Sequence, residues 1–395
     1  MTAATQTITA DVAIVGGGAA GLATAIALAR SLRRVVVIDA GSPRNRTSAH
    51  AHNVLGHEGI NPLDLVAKGR TEAEGYGVTF IDAAVTGAQS TPAEAARPHQ
   101  ENAPTDVQAP AEAAPTVTGA HSAPTEAARP HRFTLDTSAG VQVSAQHVVI
   151  ATGITDELPD IPGLAEGWGD TVLHCPYCHG YEVRGQSIGV IGTTALSYHQ
   201  AMMFSQLSDR VTFIRHAAPE PTAEQAAMLD NLGIAFVDAQ VDAVHRTDAG
   251  TNVTLRSAAG TSDPDQPNAD RGRAATAGAT AAPGPAAARL LTTAPEHWAT
   301  SAPTASAITL EALVVGPFFR ANGEVFTQLG GTVVEDPSGM GSSIPADPTG
   351  RTDIPGVWAV GNVADMSAML GASAASGVRA GAMINYELIQ SALVG

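Results

Sequence analysis

Cysteine, aromatic residues and charge are all scarce in this chain of 395 residues: two Cys, 4% aromatic and 15% charged residues. Two cysteines cannot staple a disulfide-built scaffold, and in a reducing compartment a close pair is more often catalytic or metal-binding. Basic residues are the minority, 21 against 38 acidic, for a formal net charge of −17. That balance repels phosphate backbones and anionic lipid headgroups and argues against a nucleic-acid partner. No uninterrupted apolar run of about eighteen residues occurs, which excludes a membrane-spanning helix. The opening stretch MTAATQTITADVAIVGGG has neither a basic n-region nor an apolar h-region, so a cytoplasmic protein is expected.

What is plentiful is apolar and small. A hydrophobic content of 44% suffices for the cores of two or three domains, while 40 Gly, 25 Pro and abundant Ala signal low-complexity stretches. Two such stretches are visible, 88–131 and 258–306, and EAARPH occurs twice in the first, at Glu94 to His99 and at Glu126 to His131. Nothing in them can bury a core, so each reads as an insertion in a loop rather than a repeat fold. The ordered remainder alternates strand, turn and helix. DVAIVGGGAAGLATAIALARSLRRVVVIDAG predicts a buried strand from Asp11 to Val15, a glycine turn, a helix to about Arg30 and a strand from Val35 to Ile38. SIGVIGTTALSYHQAMMFSQLSDRVTFIRH repeats the plan, which predicts an α/β chain of two Rossmann-like three-layer units, each with a β-meander.

The first turn carries Gly16, Gly18 and Gly21 in G-x-G-x-x-G spacing, directly after a strand and at the mouth of a helix. Gly16 permits the tight turn, Gly18 lets the backbone approach a pyrophosphate, and Gly21 allows close helix packing. Asp39, at the end of the next strand, can accept hydrogen bonds from a ribose diol, so this unit is expected to bind a dinucleotide. The second turn, GVIGTTALS, keeps Gly192 but puts Thr194 where the second glycine belongs, and the following strand offers only Arg215 and His216 for a 2′-phosphate. A β-branched side chain there obstructs backbone approach, which makes the second unit a poor seat for NADPH.

Both cysteines lie in HCPYCHGYEVRG, His174 to Gly185, each with a histidine beside it. Three chemistries use such a pair: a metal knuckle, a c-type haem attachment site and a redox disulfide. Structural zinc needs four ligands and usually shows two knuckles, so His174 and His179 would have to complete the set, and no metal is expected. Haem attachment would require export. A redox pair explains more, because this spacing closes a disulfide without straining the backbone and a helix start acidifies a thiol. His179 is the first candidate for proton acceptor beside Cys175 and Cys178, with His174 a second and Glu182 a group that could orient an imidazole. His50, His52 and His57, in SAHAHNVLGHEG, are candidates for the rim of a substrate opening.

Together, GGGAAG, the ATG at Ala151, Thr152 and Gly153, the Cys-x-x-Cys of the second unit and GVWAVGN near the end resemble the thioredoxin reductase-like branch of the FAD-dependent pyridine nucleotide-disulfide oxidoreductases. The resemblance implies a discontinuous FAD-binding domain over 1–155 and 308–395, and an NAD(P)-binding-like domain over 156–307 carrying the cysteines. It implies FAD held by Gly16, Gly18, Ala19, Ala20, Gly21, Asp39 and Ala40, with Arg46, and Arg44 beside it, reaching toward its phosphates. Ala151, Thr152 and Gly153 would close that domain, Gly361 and Asn362 would meet the flavin's ribityl chain, and helix amides around Ala374 and Ala375 would face the flavin ring. Cys178 would be the flavin-side sulfur and Cys175 the one that exchanges with substrate. A homodimer is implied as well.

His179 stands where that branch usually has Asp. With the altered second turn, this makes CPYCHGYE more similar to the dithiol oxidases of the same fold, of gliotoxin and holomycin type, which close disulfides in small molecules and pass electrons to FAD and then oxygen. The expected function is therefore FAD-dependent oxidation of a small-molecule dithiol. Two alternatives stand beside it: NAD(P)H-dependent reduction of thioredoxin or a thioredoxin-like protein, and a non-catalytic redox-sensing flavoprotein.

Overall fold

The structure, a computed structural model, describes residues 6–90, 133–248, 250–257 and 306–394. Both EAARPH copies and nearly all of the two low-complexity tracts lie outside the described residues. Strand β1 (Gln6–Val15), helix α1 (Ala19–Arg30) and strand β2 (Val35–Asp39) form the first βαβ unit, with α2 (Pro62–Gly75) leading to β3 (Thr79–Asp82). Near-continuous apolar runs such as Val12–Val15 and Val35–Ile38 are what a parallel sheet covered on both faces requires. Strands β4 (Val85–Ser90), β5 (Phe133–Thr137) and β6 (Val141–Ile150) complete a sheet of order β3-β2-β1-β6-β5-β4. β4 runs to Ser90, so the first insertion begins after Ser90 rather than at 88.

The chain leaves this sheet through β7 (Ile154–Glu157) and enters a second sheet through β8 (Val172–Leu173). There follow α3 (Pro176–His179), β9 (Ile188–Ile191), α4 (Ser197–Ser205), β10 (Val211–Ile214), α5 (Ala223–Asn231) and β11 (Ala235–Val237). A meander of β12 (Ala239–Thr247), β13 (Gly250–Ser257) and β14 (Ala307–Leu310) comes next, and β15 (Ala312–Val315) then enters the parallel sheet in the order β11-β10-β9-β15-β8. The expected return to the first unit at 308 is thus displaced. β14 pairs with β13 and β15 lies between β9 and β8, so the chain crosses back only at β16 (Phe318–Ala321), which pairs antiparallel with β7.

After α6 (Glu324–Gln328) and the short pair β17 (Val334–Glu335) and β18 (Ser342–Ser343), β19 (Val357–Ala359) docks on the C-terminal half of β6. Helix α7 (Leu370–Val394) then lies along α1. Small residues allow that approach: a Cβ on Gly377 would stand 2.2 Å from the Ala20 carbonyl oxygen, and one on Gly381 would stand 2.9 Å from Ala27 Cβ. Each parallel sheet buries an apolar cluster on each of its faces, one pair centred on β1, β2 and β6 and the other on β9, β10 and β15. No described helix is long and apolar enough to cross a membrane.

Candidate active site

The first glycine turn is open. Gly16 has φ +104°, and a Cβ there would lie 2.4 Å from the Ala151 carbonyl oxygen. Gly21 is as tightly placed, 2.0 Å from the Gly16 carbonyl oxygen, whereas a Cβ on Gly18 would meet nothing within 4 Å. Gly18 is also the N-cap of α1 and brings no side chain to cap it. The first-turn amides, those of Ala19, Ala20 and Gly21, therefore have no carbonyl one turn earlier and face this opening. Asp39 Oδ1 accepts from the Gly17 amide at 3.0 Å, which holds the carboxylate at the turn. Beyond it, Asp39, Ala40, Gly41, Asp82, Ala83, Ala84 and Ser138 line an open hollow of about 440 Å³. An uncapped helix start, an empty space at Gly18 and an acid at the strand end are what a dinucleotide's pyrophosphate and ribose need, so these residues fit FAD.

The remaining expected contacts are placed more variously. Gly361 has φ +70°, its amide donates to Ser376 Oγ at 3.0 Å, and a Cβ would press on Ala20. Asn362 turns its Nδ2 inward to the carbonyls of Asp365, Met366 and Ala368, at 3.1, 3.3 and 2.8 Å. Three carbonyls need a donor, which an aspartate at this position would not supply. Helix α7 begins at Leu370, so its unpaired amides belong to Leu370, Gly371 and Ala372, because the Ser373 amide already bonds the Met369 carbonyl. Ala374 and Ala375 lie beyond that first turn. Thr152 and Gly153 bond Asn322 and so brace the β7–β16 crossing. Arg46 is exposed and donates to the Pro43 carbonyl, while Arg44 turns away from any phosphate toward the cysteines' surroundings.

There, Arg44 grips Asp156 with Nε and Nη2 at 2.9 and 2.7 Å and stacks over the Phe319 ring. Edge-on to the same ring, 5.0 Å between centroids, sits His174. Burial, with the nearby Arg44 charge adding to it, pushes His174 down to about 4, so this imidazole is neutral at pH 7 and packs rather than titrates. Cys175 is the N-cap of α3 and Cys178 lies within it, the two sulfurs 2.8 Å apart with both thiols reduced. The thiol hydrogen bond from Cys178 lowers Cys175 to about 7, helped by the Tyr177 and Cys178 amides and the Arg44 charge and opposed by burial. Cys178 is raised by the same pairing and by burial. A helix of one turn has little dipole; the donors around the sulfur, the Cys178 thiol and the first amides of α3, acidify Cys175.

His179 Nε2 stands 2.5 Å from the hydroxyl of Ser48, a buried side chain just past the Arg44–Thr47 turn. Its proton affinity is lowered chiefly by burial, with Glu182 raising it and His52 lowering it. Glu182 lies 3.5 Å from His52 Nε2. Asn53 Nδ2 donates to the Tyr177 carbonyl at 2.7 Å, so the histidine-rich segment does rest on the cysteine helix. Of those three histidines, His52 faces Glu182, while His50 bonds its own loop's Gly59 carbonyl. Ser48, Asp156 and Phe319 carry no motif, and no local signal in the sequence marks them. Among the described residues, no group of three or more His, Cys, Asp or Glu side chains is placed to hold a metal ion.

The second glycine turn differs from the first. Ser197, at the start of α4, accepts from the Thr193 and Thr194 amides with its Oγ at 3.0 and 3.3 Å, so these two turn amides are already paired within the chain. Gly192 is glycine for packing, since a Cβ would lie 2.6 Å from the Arg215 carbonyl oxygen. Arg215 is held by Asp238, and His216, at φ +46°, accepts from the Val241 amide. The residues present do not fit a nicotinamide dinucleotide.

Residues 10–282 match the pyridine nucleotide-disulphide oxidoreductase family. The chain belongs to that family. The family binds FAD, and nicotinamide is its usual second cofactor. Thioredoxin reductase tcpT of Claviceps purpurea is 30% identical over 215 residues, 51% of this chain and 54% of that protein. Thioredoxin reductase aclD of Aspergillus oryzae is 28% identical over 248 residues, 60% and 67% respectively. The chain therefore spans about half to two thirds of the length of these curated relatives. Among solved structures, that of HlmI superposes with a TM-score of 0.71 at 31% identity, covering 98% of this chain and 94% of that one.

Proposed function

We propose that this family member oxidises a small dithiol at Cys175 and Cys178, with oxygen as the final electron acceptor and no nicotinamide. The observation that supports it most is the Ser197 hydroxyl on the Thr193 and Thr194 amides. A turn already satisfied from within its own chain gives up two hydrogen bonds to admit a phosphate. When bound, FAD supplies a two-electron acceptor for the reduced cysteine pair and a donor for oxygen.

The chain's own residues account for the thiol chemistry. With the pair oxidised, a substrate thiolate attacks Cys175 Sγ, a mixed disulfide forms, and Cys178 leaves with the electron pair of the broken bond. The second substrate thiolate then attacks the substrate sulfur of that mixed disulfide, closing the product disulfide and releasing Cys175. Its lowered pKa suits Cys175 to be the leaving thiolate, since exchange is faster when the departing thiol is more acidic. His179 takes the thiol proton, Ser48 holding Nε2 and leaving Nδ1 for that purpose. Arg44, Asp156 and Phe319 keep the surroundings of the pair in place.

Oxygen consumption by the FAD-loaded protein with dithiothreitol tests the proposal: it is expected in the native chain and lost in Cys175→Ser and Cys178→Ser. No oxygen uptake by the native protein would favour the redox-sensing alternative. The names of the curated relatives favour a second reading, an NAD(P)H-fed reductase of thioredoxin or a similar protein. Reduction of thioredoxin at the expense of NADPH would establish it. A homodimer and a cytoplasmic location accompany the proposal; light scattering tests the first and cell fractionation the second.

A further inference from the structure

The segment between Ala51 and Ile60 is a closed loop, joined at its base by the Ala51 amide to the Ile60 carbonyl at 2.7 Å and the Gly59 amide to the Ala51 carbonyl at 3.0 Å. Inside it, Glu58 holds the ring of His52: Oε1 meets Nδ1 at 2.6 Å while Oε2 accepts from the Asn53 amide at 2.9 Å. Two bonds to one carboxylate fix the ring's direction. His52 Nε2 is consequently buried without a hydrogen-bond partner, and 3.5 Å from Glu182 Oε1. That distance is long for a hydrogen bond and within reach of an ion pair. Leaving a buried polar nitrogen unpaired is costly, which makes this an unusual place to keep an imidazole for packing alone.

Glu182 lies three residues beyond His179 and acts on its charge as well as facing His52. One carboxylate thus serves two imidazoles. We propose that His52, aimed by Glu58, competes with His179 for the Glu182 carboxylate and thereby sets the charge of the imidazole beside Cys178. His52 is a positioning residue in this account, and the idea rests on His179 being the proton acceptor of the cysteine pair. The groups facing His52 are Glu58 and His50 from its own loop, with the His50 ring 6.3 Å away, and Glu182 and His179 from the cysteine segment. Ser48 touches His179, and the charges of Glu182 and His52 act on it. Drawn toward His52, Glu182 gives His179 less of its counter-charge, and His179 holds its own proton less firmly.

The test is a histidine titration by NMR on the FAD-loaded, full-length protein carrying ¹³C-labelled imidazoles, with His179 assigned from a His179→Gln variant. His52→Ala removes the competitor, and the His179 midpoint is expected to rise by about half a pH unit, a threefold change in proton affinity. Glu182→Gln is expected to lower it. Glu58→Gln keeps both rings but loosens the aim of His52, and should raise the midpoint by less than His52→Ala; it serves alone if the alanine variant fails to fold. An unmoved His179 in the His52 or Glu58 variant, or a shift of the same sign in the Glu182 variant, overturns the proposal. Because the readout involves neither dithiol nor oxygen, a protein that fails the oxygen-consumption test still gives an answer here.

Discussion

The chain holds two glycine turns in two similar units, and the contrast between them separates a ligand seat from a structural corner. In the first, Gly18 leaves a void and the start of α1 has no cap. In the second, Thr193 and Thr194 replace glycine, α4 begins only at Ser197, and that serine's hydroxyl takes the two turn amides. On the proposed function, loss of a cofactor site is not simply loss of glycine. The unpaired amides must still be satisfied, and here a side chain from the same turn does it.

Four substitutions or measurements sharpen the contrast. The largest effect is expected from Gly16→Ala, which combines a left-handed backbone with a 2.4 Å approach to the Ala151 carbonyl. It should cost about 3 kcal/mol or more and yield protein without bound flavin, seen as lost visible absorbance and a lowered unfolding midpoint. Gly18→Thr writes the second turn's residue type into the first, and its Cβ meets no protein atom within 4 Å. It should leave the apoprotein's melting unchanged while weakening FAD binding roughly ten- to hundredfold, about 1.4–2.8 kcal/mol, measured by fluorescence titration.

Ser197→Ala tests the other turn. Stripping two amides of their partner should lower stability by about 1–2 kcal/mol in denaturant unfolding without changing flavin content. The smallest effect concerns the chemistry proposed for the second unit, at α3 rather than at its glycine turn. Alkylation of Cys175 by iodoacetamide in the reduced protein should reach half its maximal rate near pH 7, because the thiolate fraction grows as pH rises through about 7. Cys178→Ala removes the thiol donor and should move that midpoint upward.

The first unit was legible because everything that defines it is local. An apolar run, G-x-G-x-x-G and Asp39 fall within thirty residues, and β1, α1 and β2 form where that pattern places them. The cysteine pair was legible for the same reason. Partners distant in sequence were not. β15 looks like the start of the last segment, yet its neighbour β9 lies over a hundred residues earlier, and no short-range pattern says which sheet it joins. Asp156 and Phe319 meet Arg44 across the crossing strands, so the redirection of Arg44 from a phosphate to the cysteine surroundings could not be read from GSPRNR. Ser197 is an ordinary serine until the late start of α4 turns it into a plug. The Ala- and Gly-rich beginning of α7 offered no cap by which to place its first turn, which shifted the unpaired amides from Ala374 and Ala375 to Leu370, Gly371 and Ala372.

The central claim is that electrons enter through Cys175 and Cys178 and not through the second glycine turn. An anaerobic titration of the purified flavoprotein with dithiothreitol, NADPH and NADH in parallel, followed by flavin absorbance, tests it most directly. Bleaching by stoichiometric dithiol, with none by either nicotinamide, is the predicted result; rapid bleaching by stoichiometric NADPH would contradict it.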